Sequence, residues 1–228
     1  MKFWITANGY KIYQIIDGES NSFCSNSFLV EYEGNFIMID TGSKKKWNEL
    51  QINLNRIGVN QDNLKALILT HAHFDHVENA LKMKTNYGTK IIINKLESVF
   101  LENGKNSKTG VVNFIIRLFK YESIKPDILT EEIYELNELG FKNCWVIKTA
   151  GHTAGSGCIL IDDEAVITGD TTVNFSDNTL PWYIARKADL LKSWKKIIDT
   201  GSWLYLPGHG NAVKREILIK NYKKIISE

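Results

Sequence analysis

The chain has 228 residues, 43% of them hydrophobic and 24% charged, with a formal net charge of +2. That length carries a core without disulfide staples, and the near-neutral balance gives no electrostatic footprint for nucleic acid or a membrane surface. Cys24, Cys144 and Cys158 are widely spaced and odd in number, which excludes a disulfide framework and suits a reducing compartment.

In chain order, apolar and β-branched runs at 10–16, 27–31 and 36–39 predict strands, with Glu33-Gly34-Asn35 as a hairpin tip. Asp40-Thr41-Gly42 closes the last of them. The basic run Lys44-Lys45-Lys46 reads as a solvent-facing face rather than a phosphate site. Trp47, Leu50, Leu54 and Ile57 recur at helical spacing, with Ser43 as a candidate cap and Gly58 as the stop. A buried strand at 66–69 follows, then a helix from His76 through Ala80, Leu81 and Met83 to Asn86, and a strand at 91–93. Between 95 and 130, Val99, Phe100, Val111, Val112, Phe114, Ile115, Leu118, Phe119 and Tyr121 predict two amphipathic helices around a polar loop at 102–110.

Strands are expected again at 144–148, 157–161 and 165–168. The run 165–171 loosely echoes 36–41, as an internal duplication would produce. A helix at 187–198, a strand at 203–206 and a last helix complete the chain, with Val213, Ile217, Leu218, Tyr222 and Ile225 on one face. No linker or low-complexity stretch marks a second domain, so one domain over 1–228 is expected. The first residues lack a signal-peptide apolar core and no run approaches membrane-spanning length, which predicts a cytoplasmic protein.

The chemistry concentrates in Thr70-His71-Ala72-His73-Phe74-Asp75-His76, directly after the run 67–69. Three of the five histidines lie there, and the other two sit in Gly151-His152-Thr153 and Gly208-His209-Gly210, Gly-bearing turns after strand-like runs. Imidazole and carboxylate are the ligands of choice for zinc and similar divalent ions. His71 and His73 alternate along an extended segment and can point to one side, while Asp75 and His76 are re-aimed as the chain turns into a helix. Local capping or pairing accounts for a lone histidine; it does not account for this spacing.

Thr-His-x-His-x-Asp-His, the later Gly-His-Thr, the Gly169-Asp170 pair after a strand and the terminal Gly-His-Gly resemble the metallo-β-lactamase-fold hydrolase superfamily, in its motif order. The resemblance implies an α+β fold: a four-layer αββα sandwich of two mixed β-sheets flanked by helices, with two metals at one edge. It implies His71, His73 and His152 on one ion, Asp75, His76 and His209 on the other, and Asp170 bridging both together with a hydroxide. The ions expected are zinc, with iron or manganese as alternatives, and Asp75 is the one candidate catalytic residue, able to pass a proton besides coordinating. Asp40 would lie beneath the metals and orient a ligand; a simple turn or helix cap is the competing reading. In such proteins insertions between the second and third ligand motifs often roof the site, so 95–130 is expected to do so, with Phe100, Phe114 and Phe119 as pocket wall or as ordinary core.

The chain also departs from its relatives. Glu78-Asn79 stands where many carry Gly-Gly. Histidine rather than glutamate at 73 separates it from the di-iron flavoprotein branch. Asp170 points toward thioesterases, lactonases and phosphodiesterases rather than true β-lactamases. The Gly-Cys-Gly-Arg stretch of glyoxalase II-like enzymes is replaced by 171–176, and Val173 stands where acyl-homoserine lactonases place a tyrosine, for which Tyr183 is a candidate substitute. The expected function is hydrolysis of a small ester, thioester or lactone by the bridging hydroxide. The alternatives are a mononuclear iron persulfide dioxygenase using His71, His152 and Asp170, a β-lactamase or phosphodiesterase, and a non-catalytic metal-binding or ligand-sensing module. A small molecule is the expected partner, without nucleic acid or membrane; the oligomeric state is open, a homodimer among the options.

Overall fold

Two β-sheets lie face to face in the computed structural model, which describes residues 1–18, 23–109 and 119–227. The first sheet runs β1 (Lys2–Ile5), β2 (Lys11–Ile16), β3 (Ser27–Tyr32), β4 (Asn35–Ile39), β5 (Leu64–Ile68), β6 (Lys90–Asn94) and β7 (Ile128–Thr130) in that spatial order. It is antiparallel from β1 to β4 and parallel from β4 to β7. The second sheet is ordered β13 (Val213–Lys214), β12 (Leu204–Pro207), β11 (Ala165–Gly169), β10 (Gly157–Ile161), β9 (Cys144–Lys148) and β8 (Ile133–Glu135). Only its β11–β12 pair is parallel.

Alternating side chains explain why the central strands are apolar on both faces. In β4, Ile37 and Ile39 enter the core between the sheets, while Phe36 and Met38 face outward. In β10, Ile159 and Ile161 face the same inner core, while Cys158 and Leu160 pack outward. Three helices cover the first sheet: α1 (Trp47–Ile57) through Leu50 and Leu54, α3 (Ala80–Tyr87) through Ala80 and Met83, and α4 (Lys95–Glu102) through Leu101. On the second sheet lie α5 (Lys187–Asp199), with Leu190, Trp194 and Ile197, and α6 (Arg215–Ile226), with Leu218. The layering is thus αββα, as the resemblance implied. Among the described residues no helix is long and apolar enough to cross a membrane.

The two halves repeat one plan. Three antiparallel strands, β2 to β4 or β9 to β11, are followed by a helix and a strand parallel to the last of the three. Asp40 follows β4 and Asp170 follows β11, so the echo between 36–41 and 165–171 marks equivalent strand ends. Because β9, β11 and β12 point the same way, the turns after all three open at one edge, beside the turns after β4 and β5.

Several expectations shift. Gly58 stops α1 in the left-handed region at φ +90°, as read, but Ser43 makes no side-chain cap, and a 3-10 turn at Lys44–Lys46 leads into the helix. The helix expected from His76 to Asn86 is two: α2 (Phe74–Val77) and α3, broken at Glu78 and Asn79. The break has a cause. Buried Asn79 donates through Nδ2 to the carbonyls of Thr41 (3.1 Å) and Ser43 (2.9 Å), and Glu78 Oε2 accepts from Lys44 N at 2.6 Å. The departure from Gly-Gly therefore latches the turn that carries Asp75 and His76 to the loop after β4. In 95–130, α4 is the first expected helix; 103–109 and 119–127 carry no helix or strand, and the rest of the second expected helix lies outside the described residues. β1, β7, β8 and β13 were not read from the sequence, and Val213 belongs to β13 rather than to the last helix.

Candidate metal centre

Four loop segments converge at the shared edge. The turn between β5 and α2 brings His71, His73, Asp75 and His76; the turns after β9, β11 and β12 bring His152, Asp170 and His209. His71 Nε2 lies 2.9 Å from His73 Nδ1, which lies 3.1 Å from His152 Nε2, and His152 Nε2 lies 3.4 Å from Asp170 Oδ2. On the other side His209 Nε2 is 3.2 Å from Asp75 Oδ2, which is 3.9 Å from His76 Nε2. Asp170 Oδ1 faces that second group, 3.3 Å from His76 Nε2 and 3.6 Å from His209 Nε2.

Tetrahedral bonds of zinc to nitrogen and oxygen place neighbouring ligand atoms about 3.3–3.6 Å apart, and the spacings here, from 2.9 to 3.9 Å, straddle that separation. The donor chemistry agrees. His76 Nε2 and Asp170 Oδ1 face each other at 3.3 Å in the interior without forming a well-aligned hydrogen bond, a shortfall that a cation between them would relieve. All seven ligand candidates named from the sequence are brought together, His71, His73, His152 and Asp170 in one group and Asp75, His76 and His209 in the other.

The opposite nitrogen of four imidazoles is occupied. His76 Nδ1 lies 2.8 Å from Asp40 Oδ2, and His71 Nδ1 lies 3.1 Å from Thr70 Oγ1, which donates to Asp40 Oδ2 at 2.7 Å. Thr70 N donates to Asp40 Oδ1 at 2.8 Å. His152 Nδ1 faces the carbonyl of Tyr183 at 2.6 Å, and His73 Nε2 that of Ser107 at 3.2 Å. In the neutral ring, acceptors there favour the proton on the rear nitrogen, the tautomer whose forward lone pair can meet a metal. Asp40 is thus no side-chain cap; it is a buried acceptor at φ +54°, a conformation uncommon outside glycine.

Electrostatics split the groups. Burial, then the neighbouring histidines, holds His71 well below the usual imidazole range; burial lowers His73 and brings His152 down to about 4. These three are neutral near pH 7, the form that binds metal. For His76 burial opposes the charge, but Asp170, Asp40 and Asp75 outweigh it and raise the imidazole well above its usual value; Asp170 and Asp75 likewise raise His209 against burial. Asp170 and Asp75 are held low despite burial, chiefly by His209 and His76.

Supporting contacts fix the loops. Trp194, fully buried, donates Nε1 to the carbonyl of Thr171 at 2.6 Å and so pins the turn that carries Asp170. At Gly208 an added Cβ would stand 2.4 Å from Asp170 Oδ1 and 2.8 Å from His76 Cε1, so only glycine fits beside the second group.

The pocket candidates divide. Phe100 packs against the core under α4. Phe119 stacks on Phe74 at 4.5 Å, with exposed Phe23 at 5.6 Å from it, making an aromatic group on the ligand-loop side. Phe114 lies outside the described residues. Tyr183 meets His152 through its backbone, and the neighbouring Trp182 stacks on Phe175 at 4.6 Å. The supporting roles of Thr70, Ser107 and the Tyr183 carbonyl were not read from the sequence, though Thr70 stood at the head of the motif. Nor was buried Glu97, which accepts from the backbone N of Ala72 and of Gly155; its signal was a charge one turn before Leu101 on the core-facing stripe of α4.

Comparison with known proteins agrees with the fold and the motifs. The family described as the metallo-beta-lactamase superfamily matches residues 23–209. A "probable metallo-hydrolase" of Methanocaldococcus jannaschii is 34% identical over 149 residues, 65% of this chain and 68% of that one. The hydroxyacylglutathione hydrolase GloC of Haemophilus influenzae is 28% identical over 148 residues, 63% and 64% of the two chains. A protein solved in a di-iron-bound form superposes with a TM-score of 0.70 at 19% identity, covering 91% of this chain and 98% of its own.

Proposed function

Because the chain belongs to the metallo-beta-lactamase superfamily, we propose that it is a dinuclear metal-dependent hydrolase of small esters, thioesters or lactones. The observation that carries this is the division of one aspartate between two donor groups, Oδ2 of Asp170 toward His152 and Oδ1 toward His76 and His209. His71, His73, His152 and Asp170 would hold one ion, and Asp75, His76, His209 and Asp170 the second. Two divalent ions held there, zinc foremost, would supply a water-derived nucleophile near neutral pH and a Lewis acid for the substrate carbonyl.

The chain's own residues do the rest. Asp40, Thr70, Ser107 and the Tyr183 carbonyl hold four imidazoles in the ligating tautomer. Asp75 presents Oδ2 to the second donor group, 3.2 Å from His209 Nε2, and would be the group placed to hold a proton as the leaving group departs. A thiol nucleophile is not supported: burial raises Cys24, lifts Cys144 to about 12 and Cys158 to about 11. The likeness to GloC, at 28% identity, favours the thioester among the three substrate classes.

The test is metal content by mass spectrometry on protein purified without added metal or chelator, followed by an ester, thioester and lactone panel. About two zinc ions per chain, with turnover lost in a folded Asp75→Ala variant, supports the reading. One iron per chain with oxygen consumption on a persulfide replaces it with an oxidoreductase.

A further inference from the structure

We infer that Glu97 is a positioning residue that locks the His71–His73 turn and the His152 turn to each other, and so sets the spacing of the three-histidine group. This rests on the metal-binding reading above. Glu97 sits on α4 with no solvent exposure, and among the described residues no lysine or arginine pairs with it. Instead both carboxylate oxygens are consumed by donors from three loops. Oε2 accepts from the backbone N of Ala72 at 2.9 Å and from the hydroxyl of Ser107; Oε1 accepts from the backbone N of Gly155 at 3.0 Å.

Each donor leads to a histidine. Ala72 is the single residue between His71 and His73. Its carbonyl is held as well, by Ser107 N at 3.0 Å and Tyr121 Oη at 3.3 Å, so that peptide is clamped at both ends. Ser107 also offers the carbonyl that faces His73 Nε2. Gly155 follows His152 by three residues, and its close approach is built in: a Cβ there would stand 2.8 Å from Glu97 Cγ. The first two loops belong to the first sheet and the Gly155 turn to the second, so the carboxylate bridges the same gap as the three histidines. An uncharged acceptor of the same shape cannot do this. Glutamine has one acceptor oxygen, and whichever way its amide is turned, an N–H group meets a backbone N–H in a buried place.

The experiment is cobalt(II) titration of the whole chain, wild type beside Glu97→Gln and Ser107→Ala. Binding is followed by the visible absorption of cobalt and by metal stoichiometry, and folding by circular dichroism. The E97Q protein is expected to weaken the first cobalt site by about 10–100-fold with an altered visible band, the size seen when supporting hydrogen bonds of ligands are lost. Its second site, built on Asp75, His76 and His209, should stay within twofold of wild type. A merely structural Glu97 would lower the melting temperature and leave affinity and band shape unchanged; that result overturns the assignment. Should E97Q fail to fold, S107A decides, with a loss of about threefold to tenfold expected and an unchanged affinity refuting it. A wild-type chain that takes up no cobalt overturns the metal-centre reading itself, and Glu97's role with it, whereas wild-type uptake with indifferent variants removes Glu97 alone.

Discussion

Replacing Asp40 by asparagine isolates one carboxylate charge from everything else at that position. The backbone is not at issue, because Asp40 sits at φ +54° and asparagine enters that region more readily than other side chains. What changes is the acceptor count. Asp40 receives His76 Nδ1 at 2.8 Å and Thr70 Oγ1 at 2.7 Å on one oxygen, and Thr70 N at 2.8 Å on the other. If the new amide oxygen keeps the first pair, its NH2 faces the Thr70 N–H. If it is flipped, the NH2 faces His76 Nδ1 and drives the imidazole proton to Nε2, the nitrogen needed for metal. Either arrangement leaves a buried donor unmatched, at about 1–3 kcal/mol. At 1.4 kcal/mol per tenfold that corresponds to roughly 5–150-fold in affinity, overlapping the range for supporting contacts at metal sites. Competition with a chromophoric zinc chelator reads the affinity, and urea unfolding of metal-free protein reads the stability. A zinc affinity within threefold of wild type would refute the argument that Asp40 sets the tautomer of His76.

Two further substitutions test other parts of the site and its scaffold. Gly208→Ala should fold but lose metal at the second group by at least tenfold in a stoichiometry measurement, because its Cβ would stand 2.4 Å from Asp170 Oδ1. Asp127 is held below the usual carboxylate range: burial opposes its charge, but the Ile91 backbone N–H and Lys84 outweigh that. A lowered carboxylate contributes stability that is present above its unfolded value near 3.9 and lost as pH falls through the lower folded one. Wild type should therefore exceed Asp127→Asn by about 0.5–1 kcal/mol at pH 7, an ion-pair figure already discounted for exposure, and the gap should narrow as acid protonates Asp127. Urea titrations at pH 7 and through the acid range measure it.

Much of this was legible in the residues because two signals are strong. Strand runs such as 36–39 and 157–161 are apolar on both faces, and the histidine spacing admits few meanings. What escaped depends on contacts between distant segments. The break between α2 and α3 arises because Asn79 binds carbonyls at Thr41 and Ser43, nearly forty residues earlier, and no local propensity encodes that. β7 and β8 are three residues each, too short for a period to register. Asp40 read equally as a turn residue or as part of the site, since only the fold brings it to His76. Phe100 read as pocket wall or as ordinary core, because helical periodicity marks an apolar face without saying what covers it; it packs against the core.

The chain passes from the first sheet to the second between β7 and β8, through Glu131 and Glu132 alone, both exposed. Everything before that pair supplies His71, His73, Asp75 and His76; everything after it supplies His152, Asp170 and His209. Neither piece owns a complete ligand set. The molecule is in effect a two-part complex whose parts share a short tether, which keeps their mutual effective concentration high. With ions held across both parts, occupancy and the docking of one part on the other would be linked equilibria, each strengthening the other by the same factor. Cleavage at the tether would turn an internal fold contact into a metal-dependent association between two fragments.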